Sequence, residues 1–185
     1  MAATLVTKTP REHTLETTRQ SPFDEVFRTA RPSLVRLVAR VVGPSEAEDV
    51  VQEAFVKLSK DPVLGHAETE VTAWLRRVCL NLAFNRARDV GRWRARTIRA
   101  ETENTAVPDD PATVVVRSDE CTRVRTILDQ LPVKQRDALL LRHAGHSYAE
   151  VAATLQIPAS SVGTTLARAE RAFKHLYLAL EGETP

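Results

Sequence analysis

Apolar residues recur along this chain at three- and four-residue intervals, the period of amphipathic helices. The clearest case is the run from Pro44 to Leu58. Ala47, Val51, Ala54, Phe55 and Leu58 make one stripe there, with Asp49, Gln52, Glu53 and Lys57 opposite it. Ser45 with Glu48 three residues on predicts a capping box at its start, two orphan backbone donors satisfied reciprocally. Upstream, Ser21-Pro22 predicts an N-cap followed by proline at the first helical position. Phe23, Val26, Phe27 and Ala30 then form an apolar face expected to end near Pro32. A second segment, Pro32 to Val42, carries Leu34, Val35, Leu37, Val38, Val41 and Val42 and stops at Gly43-Pro44.

Residues 59–69, with Asp61-Pro62 and Gly65, read as a loop. A long helix is predicted from about Glu70 to Arg88 or beyond. Trp74, Leu75, Val78 and Leu82, with Cys79, supply its core side; Arg76, Arg77, Asn81, Asn85, Arg86 and Arg88 are expected to project elsewhere. Helical signals fade between 97 and 116, where Glu101 to Pro111 reads as an acidic, proline-bearing linker. From Arg117 an amphipathic helix runs through Val124, Ile127, Leu128 and Leu131, and Pro132 restarts the chain into an apolar helix ended by Ala144-Gly145. Ser147 and Glu150 predict a second capping box, opening a short helix through Val151, Ala152 and Leu155. Gln156-Ile157-Pro158 is the turn, and a last helix runs from Ala159 to Leu180. The expected fold is all-α, with two small helical domains (21–96 and 117–180) joined by a linker (97–116) and preceded by a mobile tail (1–20).

A short helix, a tight turn and a longer helix with a polar start are the layout of a helix-turn-helix, whose second helix offers its first residues to base edges in the major groove. Ser160, Ser161, Thr164, Thr165 and Arg168 are the candidates for that surface, and Val162, Leu166, Ala169, Phe173 and Leu176 are assigned to core.

Charge sharpens this picture by its placement. The formal net charge is only +2, yet between Trp74 and Arg99 eight arginines (76, 77, 86, 88, 92, 94, 96, 99) face the single acid Asp89. That bias points to a polyanionic partner. Arginines neutralise phosphates and release counterions; aromatic faces and amide edges hold unstacked bases. Asn81 and Asn85 offer amide edges, while Trp74, Phe84 and Trp93 are either core aromatics or stacking platforms. Cys79 and Cys121 lie far apart and form no CxxC, so neither a disulfide framework nor a zinc site is expected. His143 and His146 have HxxH spacing, but no carboxylate–cysteine set converges on them. No phosphate-cradling loop or nucleophile motif occurs, and neither catalytic residues, a metal nor a cofactor is expected. There is no apolar run of membrane-spanning length and no signal-peptide core, so a cytoplasmic chain without a membrane partner is expected.

Residue order adds a resemblance. Ala47-Glu-Asp-Val-Val-Gln-Glu-Ala-Phe, Trp74-Leu with Asn81, and Leu131-Pro with Tyr148-Ala-Glu-Val-Ala, taken in that sequence, resemble the extracytoplasmic function (ECF) sigma factors of the sigma-70 family, over roughly 23–96 and 124–178. Such proteins comprise conserved regions 2 and 4 and a linker that passes near the RNA exit path. The resemblance implies a non-catalytic specificity subunit. In it Asp49, Gln52, Glu53 and Val56 would face core RNA polymerase, whose clamp and flap regions are the expected contacts. Trp74, Arg77, Asn81, Asn85, Arg86 and Arg88 would hold the −10 element as single-stranded DNA, and Ser160, Ser161, Thr164, Thr165 and Arg168 would read the −35 duplex. An anti-sigma factor is a further implied partner. No extra C-terminal regulatory domain is expected, since the sequence ends soon after Leu180.

The chain also departs from the family pattern. Ser160-Ser-Val-Gly-Thr-Thr-Leu stands where a Gly-Thr-Val-Lys-Ser-Arg-Leu run is frequent, so Gly163 and Thr165 replace two usual cations. Asn85 stands where an acid is common. Two other function classes compete: a free-standing regulator using only the helix-turn-helix, which would not need the first half, and a hydrolase or metal enzyme, which lacks a site.

Overall fold

The computed structural model describes residues 21–102 and 112–182, with side chains for 21–90, 120–180 and 182. Trp93, the arginines at 92, 94, 96 and 99, residues 1–20 and the linker stretch 103–111 therefore lie outside the described side chains. Seven α-helices make up the described fold: α1 Pro22–Val42, α2 Pro44–Leu58, α3 Glu68–Thr102, α4 Ala112–Gln130, α5 Val133–His143, α6 Tyr148–Leu155 and α7 Ala159–Gly182. No strand occurs among the described residues. The first three helices pack mutually, and α5, α6 and α7 form the second cluster with α4 against them.

α1 does not break at Pro32, contrary to the sequence expectation; the proline lies inside one continuous helix. A proline in a helix interior costs about 3 kcal/mol. Against that, Val26, Ala30, Leu34, Leu37, Val38 and Val41 form a single buried stripe across the site. Each large apolar side chain contributes about 1.5–3 kcal/mol on full burial, so the stripe outweighs the break. The Pro32 ring itself faces solvent. Thr29 and Ser33 turn their hydroxyls back onto the helix, donating to the carbonyls of Glu25 (2.9 Å) and Ala30 (2.8 Å).

The capping box expected at Ser45 is also absent. Gly43, at φ +88°, is the N-cap and Pro44 occupies the first turn, so Ser45 lies inside the helix and makes no cap. Proline at the first helical position moved the start ahead of the serine. Glu48 instead pairs with Arg31 of α1 at 2.7 Å. The apolar side of α2 is as expected, with Ala47, Val51, Ala54, Phe55 and Leu58 buried and Val50 added to them.

Between α2 and α3 a short 3₁₀ turn, Pro62–Gly65, lies within the expected loop, and Asp61 caps it by accepting from the Val63 amide at 2.9 Å. α3 begins at Glu68 and continues to Thr102, past the point where the helical signal fades in the sequence, and α4 begins at Ala112, ahead of Arg117.

In the second cluster the Ser147–Glu150 capping box forms as expected. The Ser147 hydroxyl accepts from the Glu150 amide at 3.3 Å, and Glu150 accepts from the Ser147 amide at 2.9 Å. Gln156 takes the left-handed conformation, φ 52°, and turns the chain into α7. Val162, Leu166 and Ala169 are buried, while Phe173 and Leu176 pack half-buried against the core.

The two clusters share one apolar core, because α3 is buried on two sides. Val71, Leu75 and Cys79 are buried at helical spacing, and Leu80, Ala83 and Phe84 are also fully buried. Burial holds the Cys79 thiol at a pKa of about 12, an inert apolar side chain.

Candidate functional site

Three sets of candidate residues lie on α2, α3 and α7. On α2, Asp49, Gln52, Glu53 and Val56 occupy the solvent side, Val56 at 57% exposure. Glu53 pairs with Lys57 one turn on, at 3.5 Å. The half-exposed rings of α1 lie nearby: Phe27 and Phe23 meet the buried Phe55 edge-on at 4.8 and 5.9 Å. The surface combines carboxylates with exposed apolar area, suited to a protein partner.

On α3, Trp74, Arg77, Asn81, Asn85 and Arg88 fall within a stripe roughly 80° wide at 3.6 residues per turn. Asn81, Asn85 and Arg88 are exposed, Trp74 and Arg77 half-buried. Arg86 is not among them: it lies about 140° round the helix and pairs with Glu46 of α2 at 3.2 Å. An open groove there joins Glu46, Glu53 and Asp89 to Asn85 and Arg86, bringing one residue of the α2 set beside two of the α3 set.

On α7, Ser160, Thr164 and Arg168 are exposed and Ser161 and Thr165 half-buried. Thr164 and Thr165 both donate to the Ser161 carbonyl, at 2.9 and 2.8 Å. Their hydroxyls are thus free to accept but not to donate. Gly163 is open: a Cβ there would meet only a Tyr148 ring carbon, at 3.9 Å.

A fourth set was not expected from the sequence. Arg76, expected to project away from the core, is buried to 9% exposure and reaches Glu150 of α6 at 2.7 Å. The reason is that its side of α3 is covered by the second cluster. Phe84 is a core aromatic, fully buried with the guanidinium of Arg136 from α5 over its ring at 3.6 Å. Arg88 reaches Asp129 of α4 at 3.0 Å. Arg136 also holds the buried Asp137 at 2.8 Å. Burial pushes the Asp137 carboxyl pKa up and Arg136 pulls it back. One signal for this pair exists in the sequence: Arg136 and Asp137 each precede a buried leucine, Leu140 and Leu141, by one helical turn.

Glu150 is held at a pKa of about 2, chiefly because the Ser147 amide donates to it, with Arg76 assisting. His146 contacts Glu150 at 3.4 Å, and burial and then Arg76 lower its pKa. Burial lowers the pKa of Arg76, which Glu150 offsets. Among the described residues no three His, Cys, Asp or Glu side chains gather as metal ligands, and no helix is long and apolar enough to cross a membrane.

Comparison with known proteins gives two family matches, Sigma-70 region 2 over residues 26–94 and Sigma-70 region 4 over residues 121–173. The ECF RNA polymerase sigma factor SigE of Mycolicibacterium smegmatis is 30% identical over 162 residues, 85% of this chain and 62% of that protein, so the chain spans less than two thirds of that relative. The ECF RNA polymerase sigma factor SigD of Mycobacterium bovis is 30% identical over 159 residues, covering 82% of this chain and 74% of its own length. RNA polymerase sigma-H factor of Pseudomonas aeruginosa is 29% identical over 160 residues, 81% and 83% of the two chains. Among solved structures, CnrH in complex with the cytosolic domain of CnrY has a similar fold, with a TM-score of 0.52, 20% identity and coverage of 88% of this chain and 89% of that one.

Proposed function

Because the chain belongs to the ECF family of RNA polymerase sigma factors, we propose that it binds core RNA polymerase and directs it to promoters carrying −35 and −10 elements. Sigma factors are non-catalytic, and the chain is not an enzyme. In this reading the exposed side of α2, with Asp49, Gln52, Glu53 and Val56, meets the polymerase clamp, and residues 117–180 meet its flap. The unit 21–96 takes the melted −10 strand on Trp74, Arg77, Asn81, Asn85 and Arg88. Stacking and amide edges engage bases there, and the guanidiniums engage phosphates. Arg86, committed to Glu46, serves the groove beside α2 and leaves the strand to the others.

α7 enters the major groove of the −35 duplex, with Ser160, Ser161, Thr164, Thr165 and Arg168 toward the bases. It carries fewer phosphate anchors than the frequent family run, since Gly163 and Thr165 bring no charge. An anti-sigma factor covering these surfaces is the further partner that membership suggests, and the setting is the cytoplasm, where polymerase and promoter DNA meet. The observation that carries the reading is the occurrence, in one chain, of an exposed α2 face, an arginine- and asparagine-bearing α3 stripe and a helix-turn-helix. The test is transcription by sigma-free core polymerase over a randomised promoter library. Start sites sharing −35 and −10 elements support the reading. Duplex binding without core binding or initiation would replace it with a free-standing regulator.

A further inference from the structure

Three helices each bring a ladder of residues at four-residue spacing to one cleft. Glu68, Thr72 and Arg76 stand on one face of α3, Thr29 and Ser33 on α1, and Ala149 and Ala153 on the exposed side of α6. With Ala30 and Glu150 they line a cleft of about 530 Å³, inside the range of roughly 300–1,000 Å³ common to small-molecule sites. The cleft shares no residue with the polymerase, −10 or −35 sets.

Its lining divides by chemistry. The hydroxyls of Thr29, Ser33 and Thr72 donate to the carbonyls of Glu25 (2.9 Å), Ala30 (2.8 Å) and Glu68 (2.7 Å). With their protons committed to the helices, these oxygens can only accept from a ligand. Glu68, an exposed carboxylate 3.5 Å from the Thr29 hydroxyl, also only accepts. This part of the cleft selects a donor-rich group, and an ammonium, with three N–H donors and a positive charge, matches it. Arg76 brings the opposite chemistry. It is 9% exposed and gives Nη2 to Glu150 at 2.7 Å, while its Nε–H has no acceptor among the described residues. A buried donor left unmade is costly, and a carboxylate satisfies it with charge as well as geometry. A guanidinium has five N–H donors, so a second carboxylate can share it with Glu150. Glu68 and Arg76 are about 12 Å apart along α3, and Ala30, Ala149 and Ala153 supply apolar wall suited to methylenes.

We propose that this cleft binds a short aliphatic ω-amino acid. Its ammonium meets Glu68 and the Thr29, Ser33 and Thr72 oxygens, its carboxylate meets the Arg76 Nε–H, and its methylenes lie on the alanines. Both poles are required, because the cleft carries two carboxylates, Glu68 and Glu150, and one guanidinium, Arg76. A simple anion meets repulsion from both carboxylates, and a diamine sets a second cation against Arg76. The ligand binds the native fold alone, so it raises stability by mass action. The site makes no use of promoter or polymerase and stands independently of the sigma reading.

The test is titration calorimetry of the full chain with γ-aminobutyrate, δ-aminovalerate, glycine, butyrate and putrescine, each paired with a thermal midpoint. One saturable site and a rising midpoint are expected with γ-aminobutyrate or δ-aminovalerate. Glycine, too short to join the two ends, and the single-pole probes butyrate and putrescine should bind at least tenfold more weakly. Glu68→Gln, at the exposed first residue of α3, should weaken binding roughly tenfold, the loss of one charge-assisted contact. Ala153→Leu, at an exposed position of α6, should abolish binding by filling the cleft, with the ligand-free midpoint unchanged. The absence of saturable heat with either ω-amino acid at millimolar concentration overturns the proposal. Butyrate or putrescine binding as tightly as the ω-amino acids overturns the two-pole chemistry, and binding undiminished in both variants overturns the location.

Discussion

The guanidinium carbon of Arg136 lies 3.6 Å from the centre of the Phe84 ring, joining α5 of one cluster to α3 of the other in a fully buried contact. The same guanidinium neutralises Asp137, whose side chain is 3% exposed. Two predictions follow the logic of buried ion pairs. Removing one partner leaves the other charge buried, at a cost of about 3–5 kcal/mol, whereas replacing both by apolar residues of similar volume is often neutral. Arg136→Met should therefore lower the unfolding midpoint sharply, and Arg136→Met with Asp137→Leu should recover most of the loss. A double variant no more stable than the single one, in denaturant titration, would contradict the assigned pairing.

Capping supplies a second prediction, from two serines that look alike in sequence. Ser147 caps α6 and Ser45 caps nothing. Ser147→Ala should cost about 1 kcal/mol, the usual value for a lost N-cap. Ser45→Ala, at an exposed position inside α2, should change stability by no more than about 0.5 kcal/mol. Equal losses from the two substitutions would mean that Ser45 caps α2 after all.

The difference between those serines also shows which features are legible in a sequence and which are not. The Ser147 box, the Gly43-Pro44 stop and the Gln156 turn depend on a few neighbouring residues, and local chemistry was enough to read them. At Ser45 two local signals compete, and proline at the first helical position prevails. Pro32 is illegible for a different reason: the penalty is local, but the compensating stripe from Val26 to Val41 acts through tertiary burial. Arg76 lay further from reach. Its helix has an obvious core side at Leu75 and Cys79, and the apolar Leu80 and Phe84 on the flank of Arg76 do not by themselves reveal that a second cluster covers it. Of the α3 candidates, Trp74, Arg77, Asn81, Asn85 and Arg88 share a stripe that the helical period alone defines. Arg86 carries the same charge as Arg77 and Arg88, but the period sets it apart from that stripe.

Acid should lower stability around the Ser147–Glu150 cap in two stages. Glu150 has a folded pKa of about 2 against an ordinary value of 4.5, so its contribution is complete above 4.5 and is lost as pH falls towards 2. His146 is also depressed, below its ordinary 6.5, by burial and by Arg76. The unfolded chain therefore binds its proton first, and the His146 contribution is complete above 6.5 and declines as pH falls below that value. Thermal midpoints should be level above about pH 7 and decline on acidification. Glu150→Gln should flatten the lower stage, and His146→Gln the upper one. A native profile that is level from about pH 7 to 5 would contradict the His146 assignment.

The last prediction concerns Gly163, which stands where the family run has a lysine. A Cβ at this position meets only the Tyr148 ring carbon at 3.9 Å, so a longer side chain enters without displacing the turn of α6. Glycine in a helix interior is also less favourable than an ordinary residue by up to about 1 kcal/mol, so Gly163→Lys should not reduce stability. If α7 enters the major groove as proposed, the new ammonium reaches phosphate. Promoter affinity should then rise across sequences without a change in base preference, and the slope of log affinity against log salt should steepen by about one. Stability held or raised, with no change in either binding quantity, would place Gly163 away from DNA.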